Sequence, residues 1–134
     1  MMMLSGAHSP APRALRMYLL EKDVTILTRH IDVFAGVNRQ EPFLSRNLAG
    51  QTPALLFDDS RCLAESVAIM EYLEEKHPDP ALIGTTPEER AETRQWQRRI
   101  ELNITENIHN AYHYSEGLTR VAPAFPWHQK RRQD

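Results

Sequence analysis

Three short stretches carry the residue types best placed to do chemistry. Ser9 stands just ahead of Pro10-Ala11-Pro12 and an apolar helical run. A hydroxyl there can cap the helix, contributing about 1 kcal/mol, or donate to an anion held in the positive potential of the helix end. Glu65-Ser66 opens the clearest helical run in the middle of the chain. An acid and a hydroxyl at a helix start suit its cap and its dipole on their own account. Pro53 follows Gln51-Thr52 and precedes Ala54-Leu55-Leu56-Phe57, where a cis peptide bond fits a tight turn before a strand.

Other reactive residues lead nowhere. Cys62 is the only cysteine, so neither an internal disulfide nor a cysteine-based zinc site can form, and its place in a strand suits a small buried apolar residue. His109 and His113 stand four apart on a helix, a spacing that can bind metal. The residues between them are Asn110-Ala111-Tyr112, with no glutamate and no third ligand in sight, so no metal is expected. His8 beside Ser9 does not make a hydrolase, because adjacency in sequence is not triad geometry.

The elements that must position these groups are legible in outline. Pro10 to about Asp23 reads as a first helix with a broad apolar face of Ala14, Leu15, Met17, Tyr18, Leu19 and Leu20. Val24 to Asp32 is rich in β-branched residues and predicts a strand. Leu4 is at most the stub of a strand before the first helix. A loop around Gly36 follows, then a short helix over Pro42 to Asn47. Ala54 to Phe57 and Arg61 to Leu63 form a hairpin across Asp58-Asp59-Ser60. Ala64 to Lys76 is a helix stopped by His77-Pro78-Asp79-Pro80. Thr86, Pro87 and Glu89 spell a capping box for a last helix. Trp96, Ile100, Ile104, Ile108 and Tyr112 recur every fourth residue along it; run to Gly117, it has about 31 residues and a length of ~46 Å.

The chain has 134 residues, room for one ordinary domain and little more. No run approaches the ~18 apolar residues of a membrane span, and the N-terminal residues lack the apolar core of a secretion signal. A cytoplasmic, reduced setting is expected. The formal net charge is −2 with residues 119–134 carrying +3, so the remaining body is acidic and a poor partner for nucleic acid. The basic tail reads as solvated, and nothing in its proline-broken sequence suggests packing.

Three groups of residues, in order, resemble the glutathione transferases of the serine-dependent bacterial and plant kind. The first is Ser9-Pro10 with Arg13, Arg16 and Leu20-Glu21-Lys22. The second is Phe43-Leu44, Asn47 and Gly50-Gln51-Thr52-Pro53-Ala54-Leu55. The third is Ala64-Glu65-Ser66-Val67-Ala68-Ile69 with Tyr72-Leu73, followed by Arg90 and Trp96. The resemblance covers about residues 4 to 118 and implies an α/β thioredoxin-like domain over 1–78, with a mixed sheet and a cis-proline turn facing the first helix. Residues 79–134 would hold a linker, the first helix of a largely absent all-α domain and the tail. Redox members of that fold carry Cys-x-x-Cys at the first helix. Here Ser9-Pro10-Ala11-Pro12 stands in its place, so this chain cannot perform dithiol–disulfide exchange.

The resemblance implies glutathione as co-substrate, its thiol activated for attack on a small electrophile. Ser9 would donate to the sulfur, with Ser5 the next hydroxyl to try. Glu65 would pair with the γ-glutamyl ammonium, and Ser66 would hold the neighbouring carboxylate. Thr52, ahead of Pro53, would offer its backbone to the cysteinyl unit, with Gln51 adding a side-chain contact. Arg39 falls where a cation often meets the glycyl carboxylate, and Asn38 where histidine is common. A homodimer acting in detoxification is the family expectation. Alternative readings are a non-catalytic glutathione-binding or protein-interaction module of the same fold and, among enzymes, a glutathione-dependent dehalogenase or ether-cleaving enzyme.

Overall fold

A computed structural model describes residues 1–6 and 9–113, the side chain of His113 excepted. The chain divides into two compact units, Met1–Leu82 and Ile83–Asp134. The first unit is built on a four-stranded sheet made of β1 (Met2–Ser5), β2 (Leu27–His30), β3 (Ala54–Leu56) and β4 (Cys62–Ala64). Their spatial order is β2-β1-β3-β4. The β1–β2 pair is parallel, and β3 is antiparallel to both β1 and β4. With the helices α1 (Pro10–Glu21), α2 (Phe43–Arg46) and α3 (Ser66–Lys76), this is the mixed sheet of a thioredoxin-like domain.

Strand alternation sorts the core into two faces. Met3 and Leu55, opposite each other, pack with Leu15 and Leu19 of α1 and Ile69 and Leu73 of α3. Their neighbours Leu4 and Ala54 point the other way and pack with Ile31 and with Phe43 of α2. α1 buries only Pro12, Leu15 and Leu19, while Met17 and Leu20 are exposed, so the expected broad face is a narrow stripe.

The start of the chain departs most from expectation. Far from a stub at Leu4, β1 is a full strand and lies in the middle of the sheet, hydrogen-bonded on both sides. Its Met-Met-Leu-Ser sequence has no β-branched residue; pairing along both edges and burial supply what propensity does not. β2 is shorter than expected, because Val24 and Ile26 pack against the core ahead of it. The central helix starts at Ser66, two residues later than expected, since Ala64 still belongs to β4.

A buried polar cluster ties α1 to α3 and to the segment that follows. Lys22 Nζ lies 2.6 Å from Glu74 Oε2, both side chains withdrawn from solvent. Tyr18 donates to the same oxygen at 2.7 Å, and the Leu82 N–H donates to Glu74 Oε1 at 2.9 Å. Lys22 also donates to the carbonyls of His77 and Pro80. Burial pushes the Glu74 carboxyl up, but the bonds from Lys22, Tyr18 and the Leu82 N–H outweigh it and hold the group below its ordinary range. Burial and then Glu74 push the Tyr18 phenol well above its ordinary value.

In the second unit, α4 (Pro87–Ile100) carries the expected capping box between Thr86 and Glu89. A wider, π-type turn over Glu101–Thr105 separates it from α5 (Glu106–His113). Trp96, Ile100, Ile104, Ile108 and Tyr112 are each half exposed or more. The expected extension to Gly117 and the basic tail over 119–134 lie outside the described residues. No helix among the described residues is long and apolar enough to cross a membrane.

Candidate functional site

Sheet register brings the candidate residues together. Leu4 pairs with Ala54, Ala54 pairs with Ala64, and Ser5 pairs with His30. The C-terminal ends of β1, β2 and β4 and the N-terminal end of β3 therefore share one end of the sheet. Ser9 follows β1, Thr52-Pro53 precede β3, Glu65-Ser66 follow β4, and Arg39 lies on the connection after β2. Strands lie about 4.8 Å apart, so β1 and β4 are separated by roughly 10 Å, about the span of an extended tripeptide.

Ser9 occupies the N-cap of α1 with extended backbone, yet its side chain makes no capping bond. The hydroxyl is thus not spent on its own helix. The Thr52–Pro53 peptide is cis, as Pro53 led us to expect. Gly6 shows how close the two stretches come. A Cβ there would lie 2.9 Å from Thr52 Oγ1, 2.9 Å from Val33 Cγ2 and 3.3 Å from Ser9 Oγ. The Ser9 and Thr52 hydroxyls flank one point, which only a residue without a side chain leaves clear. Ser5, the reserve hydroxyl, is fully buried in β1 and its Oγ has no partner among the described residues.

Glu65 is the N-cap of α3, with an exposed side chain and φ +67, ψ 117. A non-glycine residue held there carries about 1–3 kcal/mol of backbone strain, a feature concentrated at functional sites. The turn swings the chain from β4 into α3 and leaves Ser66 as the first helical residue. The N–H groups of the first turn have no carbonyl within the helix to bond, and the helix end adds positive potential. The Glu65 side chain caps nothing. Neither residue is occupied with the capping that would account for it.

Arg39 lies against Gly50, the residue before Gln51. Arg39 Nη1 donates to the Ala49 carbonyl at 2.9 Å, and Gln51, next to Gly50 in sequence, is exposed. Burial lowers the Arg39 pKa from its ordinary value, although a guanidinium remains charged at neutral pH. Asn38, the residue before Arg39, is buried and donates to the Gly50 carbonyl at 2.6 Å. Asn47, also buried, donates to the Gln51 carbonyl at 2.8 Å. Gly6 and the positive φ of Glu65 went unnoticed in the sequence; a glycine directly after a buried strand end was the only signal for the former.

Cys62 packs beside the Leu4 cluster, and burial pushes its thiol up, so it stays protonated at neutral pH. No group of three His, Cys, Asp or Glu among the described residues could hold a metal ion.

Residues 8–76 match the family model for the N-terminal domain of glutathione S-transferase. Glutathione S-transferase 2 of Saccharomyces cerevisiae is 30% identical over 108 residues, covering 79% of this chain and 46% of that protein. A stringent starvation protein A homolog of Coxiella burnetii is 33% identical over 122 residues, covering 91% of this chain and 55% of that one. The crystal structure of a glutathione S-transferase domain-containing protein of Marinobacter aquaeolei superposes with a TM-score of 0.84 at 28% identity, covering 99% of this chain and 68% of that chain. The chain spans about half the length of the curated relatives it matches. Sheet order, the cis-proline turn and the matched residues agree: the chain belongs to the glutathione S-transferase family, and its first unit is that family's thioredoxin-like domain.

Proposed function

We propose that this chain binds glutathione at the shared sheet end and activates its thiol for attack on a small electrophile. The observation that carries the reading is the register that gathers Ser9, Thr52–Pro53 and Glu65-Ser66 across roughly 10 Å. Glu65 pairs with the γ-glutamyl ammonium, and Ser66 with its backbone N–H receives the adjacent carboxylate. The Thr52 backbone pairs with the cysteinyl unit like a neighbouring strand. Arg39 and Gln51 attend the glycyl end. This arrangement brings the sulfur toward Ser9, whose hydroxyl donates to the thiolate at the positive end of α1. The thiol proton leaves to solvent; the thiolate then forms the S–C bond as the electrophile's leaving group departs with its electron pair. A metal has no part in this scheme.

A second reading, a binding or interaction module without turnover, draws on the match over 91% of the chain to a protein named for stringent starvation rather than transfer. Titration separates the two sites of failure. Glutathione should raise the thermal unfolding temperature of the chain, and cysteinylglycine, which lacks the γ-glutamyl group, should do so far less. Glu65→Ala should bring the two ligands level. Equal, negligible shifts with both ligands in the unmodified chain would remove the site assignment and leave the interaction module.

A further inference from the structure

We propose, resting on the glutathione-binding reading above, that the Thr52 hydroxyl is a second hydrogen-bond donor to the glutathione thiolate. It acts beside Ser9, across a notch that Gly6 keeps open, and its role is separate from that of the Thr52 backbone.

Three chain segments leave the shared end of the sheet on one face. Leu4, Ala54 and Ile31 pack together there with Phe43 of α2. Two positions further toward that end stand Gly6, Thr52 and Val33, and a two-residue step returns a side chain to the same face. The surroundings of Gly6 agree. A Cβ there would lie 2.9 Å from both Thr52 Oγ1 and Val33 Cγ2, and 3.3 Å from Ser9 Oγ. Two hydroxyls and a valine methyl thus surround a point that glycine leaves empty.

Neither hydroxyl is spent within the chain. Other threonines here are taken up locally: Thr28 donates to the Ile26 carbonyl at 3.1 Å, and Thr86 accepts from the Glu89 N–H at 3.2 Å. Thr52 and Ser9 are half-buried, and neither hydroxyl has a hydrogen-bond partner among the described residues. Residues directly opposite in a strand pairing share a face, with Cβ atoms about 4.5–5.5 Å apart. A cysteinyl unit paired with the Thr52 backbone therefore carries its sulfur on the side of the Thr52 hydroxyl, where Ser9 also stands. Donors within 3.3 Å of one point can serve a single acceptor. A thiolate gains from both bonds far more than a neutral thiol does. An alcohol is a much weaker acid than a thiol, so Thr52 keeps its proton and lowers the thiol pKa by hydrogen bonding alone. The Val33 methyl excludes water from one side of the notch, which strengthens both bonds.

The test is ultraviolet titration of the bound thiolate in the full chain. S-methylglutathione, which has no thiol proton to lose, serves as the control ligand. In the unmodified chain the bound thiol should titrate below that of free glutathione. Thr52→Val keeps the shape and the backbone and removes the hydroxyl. It should raise the bound-thiol pKa by about one unit or more, roughly a tenfold fall in the thiolate-to-thiol ratio, with S-methylglutathione affinity nearly unchanged. Thr52→Ser should restore most of the shift. Ser9→Ala combined with Thr52→Val should exceed either single variant, because each hydroxyl donates directly. Superimposable curves for the unmodified chain and Thr52→Val would overturn the proposal. So would a double variant that titrates like Ser9→Ala, since Thr52 would then act only by orienting Ser9. A chain that binds both ligands while its bound thiol titrates like free glutathione overturns the two-donor proposal and spares the binding site. One that binds neither overturns the glutathione reading with it. Should Thr52→Val fail to fold, Gly6→Ala displaces both hydroxyls without removing either. It should raise the thiol pKa in the same direction, and an unchanged value would overturn the proposal.

Discussion

At the scale of single residues, the assignment turns on what each polar side chain is not doing. Ser9 stands at an N-cap without capping, and Glu65 holds a strained backbone without using its carboxylate locally. A hydroxyl that stabilises a thiolate favours one protonation state of the ligand without holding the rest of it. Ser9→Ala should therefore leave glutathione affinity nearly unchanged and raise the pKa of the bound thiol. A hydrogen bond to an ion contributes roughly 1.5–3 kcal/mol, which corresponds to about one to two pKa units. Ultraviolet titration of the bound thiolate in both proteins checks this; superimposable curves would take Ser9 out of the chemistry. Gly6→Ala makes the complementary case, because its methyl would displace the Thr52 and Ser9 hydroxyls together.

At the scale of elements, the Lys22–Glu74–Tyr18 cluster joins α1, α3 and the residues up to Leu82. Removing one member of a buried ion pair strands the other, so Glu74→Gln should lower unfolding free energy by about 3–5 kcal/mol. Lys22→Met with Glu74→Leu should lower it by much less, since no charge is left buried. The pH dependence follows from the two shifted groups. The Glu74 carboxyl is held below its ordinary range, so its contribution is present above about pH 4.3 and is lost as pH falls through its folded value. The Tyr18 phenol is raised, so its contribution is full below about pH 10 and is lost as pH rises beyond that. Urea midpoints measured from pH 3 to 11 should fall at both ends. Glu74→Gln should flatten the acid limb, and Tyr18→Phe the alkaline one. An acid limb unchanged by Glu74→Gln would mean that other carboxylates govern it.

At the scale of the whole molecule, the described helices of the second unit present exposed apolar side chains. Trp96, Ile100, Ile104, Ile108 and Tyr112 are each half exposed or more along α4, the intervening turn and α5. A contiguous exposed stripe of this kind favours association. Light scattering after gel filtration should show a mass that rises with concentration, and Ile104→Glu with Ile108→Glu should bring it down to the monomer. A wild-type mass that stays monomeric across the concentration range would show the stripe to be inert.

What the sequence by itself determined is local in its physics. Proline and hydroxyl residues announced the starts of α1 and α4, Thr86 and Glu89 the capping box, and Pro53 the cis turn, because each acts on its immediate neighbours in the chain. The three groups of matching residues led in the same way to the family. Tertiary structure alone decided the rest. Met2–Ser5 became the central strand through pairing with two partners distant in sequence, against a composition without β-branched residues. Lys22 and Glu74, ordinary surface types, were buried because their opposite charges meet across 52 positions of chain. Asn38 became an anchor for Gly50 because a folded loop set the carbonyl within its reach. Such pairings depend on which backbones come together in space, and no window of neighbouring residues contains both partners.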